Sequence, residues 1–215
     1  MNKLSEEIIK NIEKFILSTY KCGKIIDNEN LNLELYLNFL SVNISIVNII
    51  KNVDFKVILS FENKKEELID RNNLLNLWTF LGSCLESTLQ IFLSVYKNDY
   101  DNKPILNNRN SIIDIEDAKF YKLIEYFKEN ILQNYLDFES KIDFIRKNRN
   151  SIHLFNKKEL DLYNELKESL VFYNELLEEL VKRLPPLDDY SEYLLPEEIL
   201  INEYIDEFKN IIKEQ

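Results

Sequence analysis

The chain has 215 residues, 45% of them hydrophobic and 30% charged, which is the make-up of a folded domain and excludes a disordered chain. Only two glycines and four prolines occur, too few for the tight turns of a β fold, so the expected class is all-α. A net charge of −11 argues against indiscriminate attraction to nucleic acid.

The first residues mix acids and bases before any apolar stretch, unlike a signal peptide, and no apolar run is expected to reach the ~20 residues of a membrane span. A cytoplasmic protein without membrane contact is the expectation. Apolar positions at Leu4, Ile8, Ile9, Ile12, Phe15 and Ile16 have helical spacing, and Cys22-Gly23 is expected to end that first helix near Lys21. A second helix is expected from about Asn30 through Ile50. Helix is also the expectation on to Phe61, although the Val-Ile-Leu content of residues 53–61 suits a strand as well.

The stretch from about Arg71 to Val95 is the most apolar and predicts the central helix. Glu86 is the sole acid within it, either a paired structural acid or a neighbour of a functional site, and Gly82 offers room for another helix to come close. Residues from Lys97 to about Asp114, rich in Asn and Asp, predict a long exposed loop in which Arg109 is solvated. Helices are expected again from Ile115 to Asn130, from about Ile131 to Leu154, and from Glu159 to Leu184, where Pro185-Pro186 stops the last. Leu187 to Gln215 carries nine acids against two lysines and reads as a linker followed by an amphipathic helix beginning near Pro196. That helix either docks on the body or covers a basic surface. The two cysteines, Cys22 and Cys84, lack metal or redox spacing and are expected to be buried free thiols, with no metal or other cofactor.

The chemistry-bearing segment is Phe144-Ile-Arg-Lys-Asn-Arg-Asn-Ser-Ile-His-Leu-Phe155, which holds the single histidine, His153. From Lys141 to Lys158 there are six bases against one acid, a local balance of +5, so the remainder of the chain carries −16. A basic island on an acidic body admits a polyanion at one place and repels it elsewhere; a solvated helix face is the plainer meaning of such a run. On a helix, Arg149 and His153 share a face and Arg146 lies a turn further along the stripe, with Asn150 at its edge. Arginine forks hold phosphate oxygens and an imidazole moves a proton near neutral pH, so RNA is the expected substrate. His153, Arg146 and Arg149 are the candidate catalytic residues, and Asn150, Lys147 and Glu86 the candidate substrate-binding ones.

This run resembles the signature of HEPN domains, an α-helical superfamily marked by an arginine, four to six residues, and then a histidine. Arg146 with six residues before His153 fits that spacing, Arg149-Asn150 matches the Arg-Asn often found just upstream, and Arg149 stands one residue too close. The Leu81-to-Gln90 helix also looks like the first core helix of such domains, and the resemblance covers roughly residues 30–186. The organisation it suggests is an N-terminal helix (1–29), a HEPN-like bundle (30–186) and an acidic linker and helix (187–215). The resemblance implies a metal-independent endoribonuclease working as a homodimer, with the two motifs facing each other, of the kind that serves as a toxin or an antiviral effector and is often held by an antitoxin protein. It equally includes non-catalytic modules that bind RNA, nucleotides or proteins. A helical scaffold or toxin-neutralising partner is a third possibility, and a purely structural role for His153 as a helix C-terminal cap a fourth.

Overall fold

The structure is a computed structural model that describes residues 2–25, 31–52, 64–150, 163–185 and 196–214. Eight α-helices are formed among these: α1 (Asn2–Ile25), α2 (Leu33–Asn52), α3 (Lys64–Val95), α4 (Lys97–Asn102), α5 (Phe120–Asn130), α6 (Phe138–Arg149), α7 (Tyr163–Lys182) and α8 (Pro196–Glu214). A 3-10 turn covers Ile115–Asp117, and the only β pairing among the described residues is a bridge between Leu106 and Ile112. The chain is all-α.

The 32-residue α3 is the axis of the bundle, and α1, α2, α5, α6 and α7 all pack on it. Its buried residues include Leu74, Leu77, Trp78, Leu81, Cys84, Leu85, Thr88, Leu89, Ile91, Phe92 and Leu93, which together occupy most of its circumference. A helix buried over more than half of its circumference belongs in the middle of a core. Several polar groups in that core find partners within it. The Tyr173 hydroxyl of α7 donates to Asn43 Oδ1 of α2 at 3.0 Å, and Tyr36 of α2 donates to the Thr19 hydroxyl of α1 at 3.2 Å. Both cysteines are free and buried, and burial pushes their thiols up from the ordinary value.

The amphipathic α8 lays Ile201, Ile205, Phe208 and Ile212 against α2 and α1. Lys209 pairs with Glu13 of α1 at 2.6 Å, and Lys51 of α2 donates to the carbonyl of Ile212. No contact joins α8 to α6 among the described residues, so the helix is docked on the body and does not lie over the basic helix. One hydrophobic cluster runs from Ile8 of α1 to Ile212 of α8.

Several boundaries differ from those the periodicity suggests. Gly23 lies inside α1: a Cβ there would sit 2.7 Å from Leu31 Cδ1, so its bare backbone serves the return of the chain into α2. The central helix starts well before Arg71, at Lys64. Lys97–Asn102 is helical, hinged from α3 at Tyr96, and the loop is confined to residues 103–114, within which Asn110 adopts a left-handed φ of 58°. Arg109 is exposed there.

Residues 118–119 are extended and separate the 3-10 turn from α5. Residues 131–137 form turns in which Leu132 and Tyr135 pack inward, so α6 begins only at Phe138, after Asp137 at φ 59°. Contrary to expectation, Leu33–Lys51 of α2 is long and apolar enough to cross a membrane by length and composition. In the fold that stretch packs against α1, α3 and α8. Residues 53–63, the start of the helix expected from Glu159, the 187–195 linker and His153 lie outside the described residues.

Candidate functional site

The basic segment is built on α6, whose last turn holds Arg146, Lys147 and Arg149. Cations at a helix C-terminus face the negative end of the backbone dipole, so this turn is a favourable place to concentrate them. Phe138, Ile142 and Ile145 bury one face of α6, and Phe144 sets its ring edge-on against Trp78 of α3 at 5.7 Å. These contacts hold the polar turn at a fixed height on α3.

Arg149 leaves α6 toward α3 and passes directly over Gly82. A Cβ at Gly82 would lie 2.6 Å from Arg149 Cδ, 2.8 Å from its Cβ and 3.0 Å from its Cγ. One turn on, Glu86 accepts a hydrogen bond from Arg149 Nη1. The guanidinium carbon also stands 5.9 Å from the centre of the Phe120 ring in the first turn of α5. Three helices thus fix one arginine. With side-chain exposures of 29% for Arg149 and 22% for Glu86, the pair sits at the surface, where the remaining guanidinium N–H groups can meet a ligand.

Arg146 is held elsewhere. Its Nε donates to Asp143 Oδ1 at 2.7 Å, and Lys147 bridges the other oxygen of the same carboxylate at 2.7 Å. Partial burial works against ionisation of Asp143, but the hydrogen bonds from Lys147 and Arg146 outweigh it and hold its carboxyl below the ordinary value. Arg146 and Asp143 line a groove of about 610 Å³ between α5 and α6, with Tyr121, Ile124, Glu125, Glu139 and Ser140. Asn150 is exposed and closes the helix by donating its backbone N–H to the carbonyl of Arg146.

The structure therefore brings Arg149 and Glu86 into direct contact and places Arg146 and Lys147 on a second carboxylate. Glu86 acts on the arginine. Its carboxylate is engaged by Arg149, and a carboxylate is itself a poor partner for a phosphate. The geometry relating His153 to these residues falls outside the described residues. Sequence reasoning noted Gly82 and Glu86 separately without joining either to Arg149, and it missed Phe120 and Asp143. Asp143, three residues before Arg146 and four before Lys147, is the one whose i,i+3 and i,i+4 spacing was available as a signal.

No family model matches the chain, and neither the curated proteins nor the solved structures compared with it provide a match. The resemblance to HEPN domains rests on the motif and its helical setting in the sequence.

Proposed function

We propose that this protein is a metal-independent endoribonuclease of HEPN type, acting on RNA at a composite site formed by two copies of the chain. The observation that carries this reading is the fixing of Arg149, four residues before the histidine, by Gly82, Glu86 and Phe120 at the edge of the basic turn. An arginine so held spends little conformational entropy when it grips a phosphate and can be aimed at charge that develops during reaction.

In this reading one His153 removes the proton from the RNA 2′-hydroxyl. The oxygen attacks the adjacent phosphorus, the bond to the 5′-oxygen breaks, and the His153 of the second copy protonates that leaving oxygen. A 2′,3′-cyclic phosphate and a 5′-hydroxyl result. General acid and general base catalysis each contribute roughly 10²–10⁴ in rate, and a chain with one histidine gains both only by pairing. Arg149 and Arg146 hold the phosphate, with Lys147 and Asn150 at its margin, while Glu86 orients Arg149. A toxin or antiviral effector in the cytoplasm, restrained by an antitoxin protein, is the setting that accords with such an activity.

A second reading is a non-catalytic RNA-binding module, and one observation favours it: both arginines already have carboxylate partners, Glu86 and Asp143. The deciding experiment is cleavage of labelled single-stranded RNA in EDTA by wild type, His153→Ala and Glu86→Gln, with light scattering for oligomeric state and circular dichroism for folding. Cleavage by a wild-type dimer to cyclic phosphate ends, abolished in His153→Ala and reduced at least tenfold in a folded Glu86→Gln, is the expected result. RNA binding by all three proteins without cleavage would replace the nuclease by the binding module.

A further inference from the structure

At the end of the bundle where α3, α4, α5 and α7 finish, a cavity of about 410 Å³ opens between Phe92, Leu93, Tyr96, Asp99, Lys103, Tyr126, Asn130, Ile131 and Arg183. Its size falls within the range of small-molecule sites. Its apolar lining combines Leu93 and Ile131 with three aromatic side chains: Phe92 is buried, its ring 5.1 Å from that of Tyr96, and the Tyr126 ring stands 5.6 Å from that of Tyr100. Aromatic side chains gathered in this way suit a flat ring.

The polar groups divide into those already used and those left over. Arg183 is committed to Glu179 and to the carbonyl of Ile131, and Tyr96 donates to the carbonyl of Arg183. Lys103 donates to Asn130 Oδ1 at 2.6 Å, which leaves an ammonium group with N–H to spare. Asp99 makes no hydrogen bond or ion pair among the described residues, nor does the Tyr126 hydroxyl. Burial, and then the charge of Asp99, raise the phenol of Tyr126, so it stays a neutral O–H. Asp99 and Lys103 are both exposed to solvent, so what the cavity offers a ligand is a carboxylate for two adjacent donors, a donor at Lys103 or Tyr126 for an acceptor, and aromatic side chains against which a planar ring can lie.

We infer that this cavity binds a guanine base, presented either by a free nucleotide or by RNA. Of the four RNA bases, guanine alone carries two neighbouring N–H donors on one edge, N1–H and the 2-amino group, matched to the two oxygens of a carboxylate, with the O6 acceptor beside them. Adenine and cytosine set a ring acceptor next to the amino donor, and that acceptor would face the carboxylate lone pairs. Uracil offers one N–H between two acceptors. The base stacks on tyrosine, as bases do on aromatic platforms generally. The site is distinct from the basic turn of α6, and its occupancy does not depend on whether the chain cleaves RNA.

The test is calorimetric titration of the full chain with GMP, AMP, CMP and UMP, with short RNAs containing one guanosine or none, and with arginine amide, whose guanidinium presents a similar pair of donors on a peptide. Wild type should bind GMP in preference to the other three nucleotides. Asp99→Asn should weaken GMP binding about tenfold or more, as expected for loss of a charge-assisted hydrogen bond, and Tyr126→Phe should weaken it by less. Asp99 is exposed and Tyr126 is half-buried, and circular dichroism should show both variants folded. Binding of GMP and of the guanosine-containing RNA identifies RNA as a source; binding of GMP alone identifies a free nucleotide. Equal affinity for all four nucleotides, GMP binding untouched in Asp99→Asn, binding of arginine amide alone, or no binding at all would overturn the assignment.

Discussion

Gly82 of α3 and Arg149 of α6 form a notch and the stem that fills it. The space where a side chain would begin at Gly82 is taken by the Cβ, Cγ and Cδ of Arg149, on whose guanidinium Glu86 then closes one turn later. Gly82→Ala should destabilise the fold by about 1–2 kcal/mol: overpacking a tight contact costs roughly 1–3 kcal/mol, and the better helix propensity of alanine returns up to about 1 kcal/mol. Urea unfolding of the two proteins measures the difference. Adding Arg149→Ala should recover only part of the loss, because the Cβ of Arg149 already lies 2.8 Å from the new methyl position. Full recovery would place the strain in the flexible part of the arginine alone.

Asp143 carries a pH-dependent contribution. Its carboxyl is held below the ordinary value by Lys147 and Arg146 against the opposing effect of partial burial, so its stabilisation is fully present above the unfolded value near pH ~4 and is lost as pH falls through the lower folded value. Stability measured from pH 7 down to pH 2 should fall less steeply in Asp143→Asn than in wild type. An identical acid limb in the two proteins would mean that the carboxylate gains nothing from its partners.

The same Asp143→Asn change releases two cations on the exposed side of α6. Affinity for single-stranded RNA at low salt should rise roughly threefold to tenfold, with a steeper decline as salt increases, because more phosphate charge is then neutralised by protein. Filter binding at several salt concentrations reads both quantities. Unchanged affinity would remove Arg146 and Lys147 from the RNA-binding surface.

Docking of α8 should depend on burial far more than on charge. Phe208→Ala, at a side chain 2% exposed, should cost about 3–5 kcal/mol, whereas Lys209→Ala, which breaks the partly exposed pair with Glu13, should cost less than about 1 kcal/mol. Comparable losses in the two variants would show that the ion pair, and not the apolar stripe, holds the helix.

The elements that were legible in the sequence are those with a long apolar period. The stripes of α1, α3, α7 and α8 follow from spacing alone, and the start of α8 at Pro196 is the start that proline favours at the first turn of a helix. The misplaced boundaries share a physical cause. Lys97–Asn102 is polar but becomes helical because Tyr100 is anchored, its hydroxyl donating to the carbonyl of Ile113. Residues 131–137 are apolar enough for a helix, yet the burial of Leu132 and the packing of Tyr135 against Phe138 and Phe172 are met by turns. Such contacts are made with distant segments and leave no local period.

Composition and periodicity by themselves determined that this chain is all-α, that the apolar stretch from Arg71 to Val95 forms a central helix, and that a local excess of positive charge stands on an otherwise acidic protein. These are properties of each segment taken alone, set by side-chain type and by the 3.6-residue turn. Only the tertiary structure decided that Arg149 belongs to Glu86, that the bare backbone of Gly82 lets this pair form, and that a carboxylate unpaired among the described residues, Asp99, stands beside a cavity lined in part by aromatic side chains. Most of those relationships join residues dozens of positions apart, and helix packing, which sets the distance and angle between their side chains, is a property of the whole core.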